Sequence, residues 1–134
     1  MERLTSKQEK FLKSLQALDH SISLFLRQDT PDDIKKSLIA SYIKHFELCY
    51  ETAWKFLQAY LAEKHMIKID SPKKIFRECF ALGIIDEDTT KNLLDMSEAR
   101  NATVHDYDEE TARETCKRIG NYYNILKILS TIKK

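Results

Sequence analysis

Residues 34–61 read IKKSLIASYIKHFELCYETAWKFLQAYL. Apolar side chains return every three or four positions along it: Ile34, Leu38, Tyr42, Phe46, Cys49 with Tyr50, Ala53, Leu57 and Leu61. That is one face of a 3.6-residue helix, sustained over the whole stretch. Glu47, Glu51 and Lys55 form a polar row at spacing four. Glu51 ahead of Lys55 is the favourable i,i+4 order, worth roughly a few tenths of a kcal/mol on an exposed face. Trp54 sits beside the apolar stripe. Thr30 suits an N-cap and Pro31 a first helical position, so the spacing predicts a helix over residues 31–65. A helix that long spans about 50 Å at 1.5 Å per residue, more than a small globule needs. Its end is expected to bend, fray or reach a partner.

The same periodicity continues on both sides. Leu4, Phe11, Leu15, Leu18, Ile22 and Phe25, widened by Leu12 and Leu26, predict a helix over residues 3–27 that ends at Gln28-Asp29-Thr30-Pro31. Ser71-Pro72 opens a third helix over 72–82, with Ile75, Phe76, Cys79 and Phe80 inward and Gly83 closing it. Asp86 starts a fourth over 86–100, with Leu93, Leu94 and Met96 apolar. The pattern breaks at 101–107. Asp108 is a plausible N-cap for a last helix over 109–132, with Glu109 and Glu110 complementing its dipole. That helix is carried by Ala112, Cys116, Ile119, Tyr122, Tyr123, Leu126 and Leu129. Residues 1–134 therefore read as a single all-α domain, an up-and-down four-helix-type bundle with one additional short helix.

Composition narrows the function. Of 134 residues, 43% are hydrophobic, too many for disorder. Two glycines and two prolines cannot supply the turns of an all-β or Rossmann-type fold. Gly83 and Gly120 stand far apart, so neither a dinucleotide fingerprint nor a P-loop can form. A net charge of +1 argues against bulk nucleic-acid binding. Three cysteines without a C-x-x-C pair fit a reducing cytosol and exclude a zinc knuckle. The first residues, MERLTSKQEK, lack the apolar stretch of a signal peptide. No apolar run approaches the ~18 residues of a membrane span. The expectation is a soluble, cytoplasmic protein with no membrane association.

Two constellations could carry chemistry. His45 and Cys49 stand at i,i+4, a possible metal pair, but no second pair exists at ligand spacing and a closed zinc site wants four ligands. Both are read as core residues, with no metal. The second constellation is Arg100 and His105, in the break SEARNATVHDYD of residues 97–108. On a continuous helix these two positions stand about 140° apart, so acting on one phosphate would need a bend between them. Asn101 and the β-branched Thr103-Val104 are consistent with one. The chemistry would be metal-free RNA cleavage. An imidazole exchanges a proton with the 2′-hydroxyl or the leaving oxygen, and a guanidinium holds the phosphate bidentately. DNA, lacking the 2′-hydroxyl, would resist. On residues alone the simpler reading of Arg100 is as a partner of the helix C-terminal carbonyls, with His105 and Asp106 ordinary residues of an interhelical loop.

Arg100-Asn101-x-x-x-His105-x-Tyr107 resembles the R-x4-6-H motif of the HEPN superfamily, with the tyrosine placed as in HepT-type toxins. A wider set covering residues 40–125 resembles the nucleotidyltransferase substrate-binding family. It comprises Phe46-Glu47-x-x-x-Glu51-x-x-Trp54-Lys55, Ser71-Pro72, Gly83-Ile84-Ile85-Asp86, and Arg100-Asn101 followed by His105-Asp106-Tyr107-Asp108-Glu109. The resemblance implies a helical bundle that homodimerises and pairs with a small nucleotidyltransferase. It implies Arg100 and His105 as catalytic residues of a ribonuclease toxin, with the two copies facing one cleft. Asn101 would be a supporting polar residue and Tyr107 the acceptor of AMP from the silencing partner. In the substrate-binding branch the same residues would form a non-catalytic nucleotide or substrate pocket serving the partner. Neither version implies a resident cofactor beyond nucleotide or AMP delivered through that partner.

Charge is unevenly placed. Residues 86–110 carry nine acidic side chains against Lys91 and Arg100, so cations for RNA must come from elsewhere. The stretch 64–77, with Lys64, Lys68, Lys73, Lys74 and Arg77 against Asp70, is the candidate.

Overall fold

The computed structural model describes residues 2–25, 32–105 and 109–133, which form five α-helices and, among the described residues, no strand. They are α1 (Glu2–Phe25), α2 (Asp32–His65), α3 (Pro72–Ala81), α4 (Glu87–His105) and α5 (Glu109–Leu129). This is the all-α bundle expected, with α3 as the short extra helix. The caps assigned to Thr30, Pro31 and Asp108, and the acceptor role of Tyr107, fall outside the described residues.

Helix α2 packs against all four others, because its stripe is wide enough to be buried on most sides. Tyr42, Phe46, Cys49, Tyr50, Ala53, Leu57 and Leu61 are buried as the periodicity predicts, joined by Ile43, Phe56 and Ala59. Against α1, Phe11 stacks on Phe56 with centroids 5.8 Å apart, and the Ser14 and Thr52 hydroxyls meet at 2.6 Å. Nearer the bundle end, the Leu4 amide donates to Glu63 Oε1 at 3.3 Å. The three pairs run in opposite chain order, so α1 and α2 form an antiparallel hairpin. On the other side, Phe46 stacks on Tyr122 of α5 at 5.4 Å. The Tyr122 hydroxyl donates to Asp95 of α4 at 2.7 Å, and the Asn121 amide donates to Asn92 at 3.2 Å, which tie α4 to α5.

The helix ends follow local chemistry. Gly83, at φ 75°, is the left-handed residue after α3. Its amide donates to Phe80 and that of Ile84 to Cys79, satisfying two otherwise orphaned carbonyls. Asp86 caps α4 by accepting the Thr89 amide at 2.8 Å. Met66 follows α2 with φ 59°, an uncommon conformation for a residue with a side chain, and is exposed to solvent.

Several expectations are corrected. Ile34, Leu12 and Phe80 are exposed, because each lies at the edge of its stripe where no neighbouring helix covers it. Tyr60, beside the stripe, packs on Phe56 and His65. The fourth helix does not stop at residue 100 but continues through His105. Thr103 and Val104 have lower helix propensity than their neighbours, yet a few tenths of a kcal/mol each does not end a helix already docked on α2 and α5.

Candidate functional site at the end of helix 4

Helix α4 meets α2 through one buried polar pair. Ser97 occupies the inward face, one turn after Leu93, and its hydroxyl donates back to the Leu93 carbonyl at 3.1 Å. Its second contact is the Tyr50 hydroxyl at 2.6 Å. The Tyr50 ring also meets Phe76 of α3 edge-on at 6.2 Å, so three helices converge on this phenol. Burial pushes the Tyr50 phenol above its ordinary pKa. The Ser97 hydroxyl opposes that, and the charges of Glu51, Arg100 and Glu98 act from the rim.

Two of those rim charges, Glu51 and Arg100, belong to the motifs picked out in the sequence. Glu51 of α2 accepts the Trp54 indole N–H at 3.1 Å and pairs with Lys55 at 3.5 Å. The Lys55 ammonium stands 5.8 Å from the centre of the Trp54 ring. Glu98 of α4 pairs with Lys73 in the first turn of α3. Arg100 is half-buried and its charge is felt at the Tyr50 phenol, and Asn101 is exposed on the same helix. Glu51 of α2 and Arg100 of α4, far apart in sequence, thus both act on Tyr50. Phe46 serves the core, and the Gly83–Asp86 stretch turns the chain from α3 into α4.

His105 is the last residue of α4. With no break between it and Arg100, the two backbone positions stand about 140° apart around the helix axis. The bend expected to bring them together within one chain is absent. Tyr107 lies outside the described residues.

The His45–Cys49 pair is divided between core and surface. Cys49 is fully buried, and burial pushes its thiol up to about 12, while half-exposed His45 lines a shallow hollow with Ala40, Ser41, Lys44 and Leu48. Among the described residues no group of three metal-ligating side chains occurs. Cys49 is core as predicted, whereas His45 is a surface residue. No helix among the described residues is long and apolar enough to cross a membrane.

Sequence reasoning missed the Tyr50–Ser97 and Lys73–Glu98 links. The signal was present for the first: a serine on the apolar face of α4, opposite a tyrosine on the apolar face of α2.

This architecture is the HEPN fold. A structure described as a tri-AMPylated Shewanella oneidensis HEPN toxin in complex with an MNT antitoxin superposes with TM-score 0.78 at 15% identity, covering 98% of this chain and 96% of that one. A toxin–antitoxin structure with AMP-PNP superposes with TM-score 0.78 at 15% identity, covering 100% and 99%. A protein of Thermus thermophilus is more similar in sequence, at 28% identity with TM-score 0.77, covering 89% and 94%. The family model of nucleotidyltransferase substrate binding protein-like proteins matches residues 6–132, and the chain belongs to that family. No protein of curated function matches it in sequence.

Proposed function

We propose that this chain is the HEPN component of a two-gene, toxin–antitoxin-like system, a metal-independent endoribonuclease acting through Arg100 and His105 and silenced by a cognate nucleotidyltransferase. The observation that carries this reading is the coincidence of the Arg100–His105 motif with the HEPN fold over the full family match. In the reaction the 2′-oxygen of RNA attacks the adjacent phosphorus and the 5′-oxygen leaves. His105 exchanges the proton at one of these oxygens, and Arg100 stabilises the charge that builds on the phosphoryl oxygens. Asn101 supports the motif as a polar neighbour. The continuous α4 favours a cleft shared between two copies, because a homodimer can set Arg100 of one copy against His105 of the other without bending either helix. AMP transferred from the partner to Tyr107, two residues beyond His105, would block that cleft with bulk and negative charge.

The test is growth after induced expression of this chain alone, with His105→Ala beside it. Growth arrest that the substitution relieves is the expected result. Normal growth with abundant wild-type protein would favour the second reading, a non-catalytic subunit that docks on the nucleotidyltransferase and presents nucleotide or substrate to it. The feature favouring that reading is the acidity of residues 86–110, which suits a basic partner protein.

A further inference from the structure

We propose that the open face of α2, between α1 and the 66–70 connector, is a phosphate-binding groove that holds the flank of an RNA chain away from the bond being cut. The choice of RNA as the polyanion rests on the ribonuclease reading; the groove itself does not.

Arg3, Lys7 and Lys10 follow one another on α1 at spacings of four and three, which puts them on one strip. Such like-charge neighbours cost an isolated helix a few tenths of a kcal/mol each. The strip borders α2 at Lys55. Partial burial, then the charges of Lys10, Lys55 and Arg3, hold the Lys7 amine below its ordinary pKa. At the bundle end Arg3 and Lys68 line a hollow of about 290 Å³ together with Gln58, Ala62, Ile69 and Asp70. Of the carboxylates nearby, Glu51 pairs with Lys55 and accepts from Trp54, while Glu63 and Asp70 accept from the neutral amides of Leu4 and Gln58 and keep their charge. Arg3, Lys7, Lys10 and Lys68 have no ion pair among the described residues. A polyanion laid along the face relieves the repulsion they bear.

The geometry suits a nucleic-acid strand better than an acidic protein patch. The three α1 cations lie within about 10 Å of helix rise, a length over which a strand carries about three phosphates. Half-buried Trp54 beside Lys55 interleaves an aromatic face with the cations, the usual composition of a single-strand platform. The motif helix itself offers RNA mostly carboxylates, so a separate anchor is needed there.

The test uses the full chain and an oligouridylate with 2′-O-methyl groups, which it cannot cleave. Binding is followed by anisotropy across a salt series and by emission of Trp54, the single tryptophan. The triple variant Arg3→Gln, Lys7→Gln, Lys10→Gln is expected to bind at least tenfold more weakly near 0.1 M salt. Its salt slope should fall by about 2, at about 0.7 per lost contact. A variant with the same charge loss on and after α5, Lys117→Gln, Lys127→Gln, Lys133→Gln, should retain most of the affinity and the slope. Equal losses in both variants, unchanged binding in the first, or no binding by the wild type overturns the groove. So does loss of nucleotidyltransferase binding in the first variant with oligonucleotide affinity intact, which makes the face a protein dock. Binding with the expected pattern by a chain that cuts no RNA supports the groove and counts only against the ribonuclease reading.

Discussion

The Tyr50 hydroxyl lies 2.6 Å from the Ser97 hydroxyl, buried between α2 and α4, and this contact sets the register of the motif helix against the core. Ser97 keeps its second bond to Leu93 when the phenol oxygen is removed. Tyr50→Phe is therefore expected to destabilise by about 1 kcal/mol, the net worth of one buried hydrogen bond. Adding Ser97→Ala should cost little more, because both polar partners are then gone. Urea unfolding of the two single variants and the double variant measures the coupling directly. Strict additivity would remove the pair from the account of the interface.

Asp86 caps α4, and the Thr89 amide and hydroxyl hold its carboxyl below the ordinary carboxylate range. A carboxyl depressed in the folded state stabilises above its unfolded value near 3.9, and that contribution is lost as pH falls through the folded value. Asp86→Ala should lower the melting temperature at pH 7. The gap to wild type should narrow as pH falls below the unfolded value. Asp86→Asn, which caps without a charge, should retain most of the stability at pH 7 and show a smaller pH dependence.

The two glycines should answer an alanine substitution with opposite sign. A Cβ at either position meets nothing within 4 Å, so the backbone alone decides. Gly83 at φ 75° should lose about 1 kcal/mol as alanine. Gly120 inside α5 should gain 0.5–1 kcal/mol or so, the ordinary helix preference of alanine over glycine. Thermal melts of the two variants distinguish the cases.

Because α4 has no break between Arg100 and His105, inactive variants should complement each other. Arg100→Ala and His105→Ala are each expected to abolish RNA cleavage. A mixture refolded together should recover roughly a quarter of wild-type activity, since half of randomly formed dimers are mixed and each restores one of two sites. No recovery in verified mixed dimers would place both residues of a working site in one chain.

Tyr107 gives a separate check. Incubation with the nucleotidyltransferase and ATP should add the mass of AMP to this chain, and Tyr107→Phe should prevent it. Mass spectrometry of intact protein reads the result, and an unchanged addition in the variant would assign the acceptor to another residue.

The core was legible because burial imposes period. Leu4, Phe11, Leu15 and Leu18 on α1, and the α2 stripe from Tyr42 to Leu61, needed only spacing to be found. Gly83 and Asp86 were equally plain, since left-handed backbone and helix caps select for residue type. The length of α4 was not legible. Residues 101–105 carry no strong helix signal, and spacing alone does not report that α4 continues through them. The site was legible as a set of types, through its resemblance to a family, but not as geometry. That Glu51 shares the surroundings of Tyr50 with Arg100 follows only from the crossing of α2 and α4.

The three thiols give the fold a built-in chemical clock. Cys49, Cys79 and Cys116 sit on α2, α3 and α5, all buried, with burial pushing them up to about 12, 12 and 11. A folded chain therefore presents almost no thiolate to an alkylating reagent at neutral pH. Each modification event records an opening of one particular helix. Peptide-resolved labelling over time would show whether the short helix α3 detaches by itself or whether all three sulfurs become reactive together, in a single cooperative event.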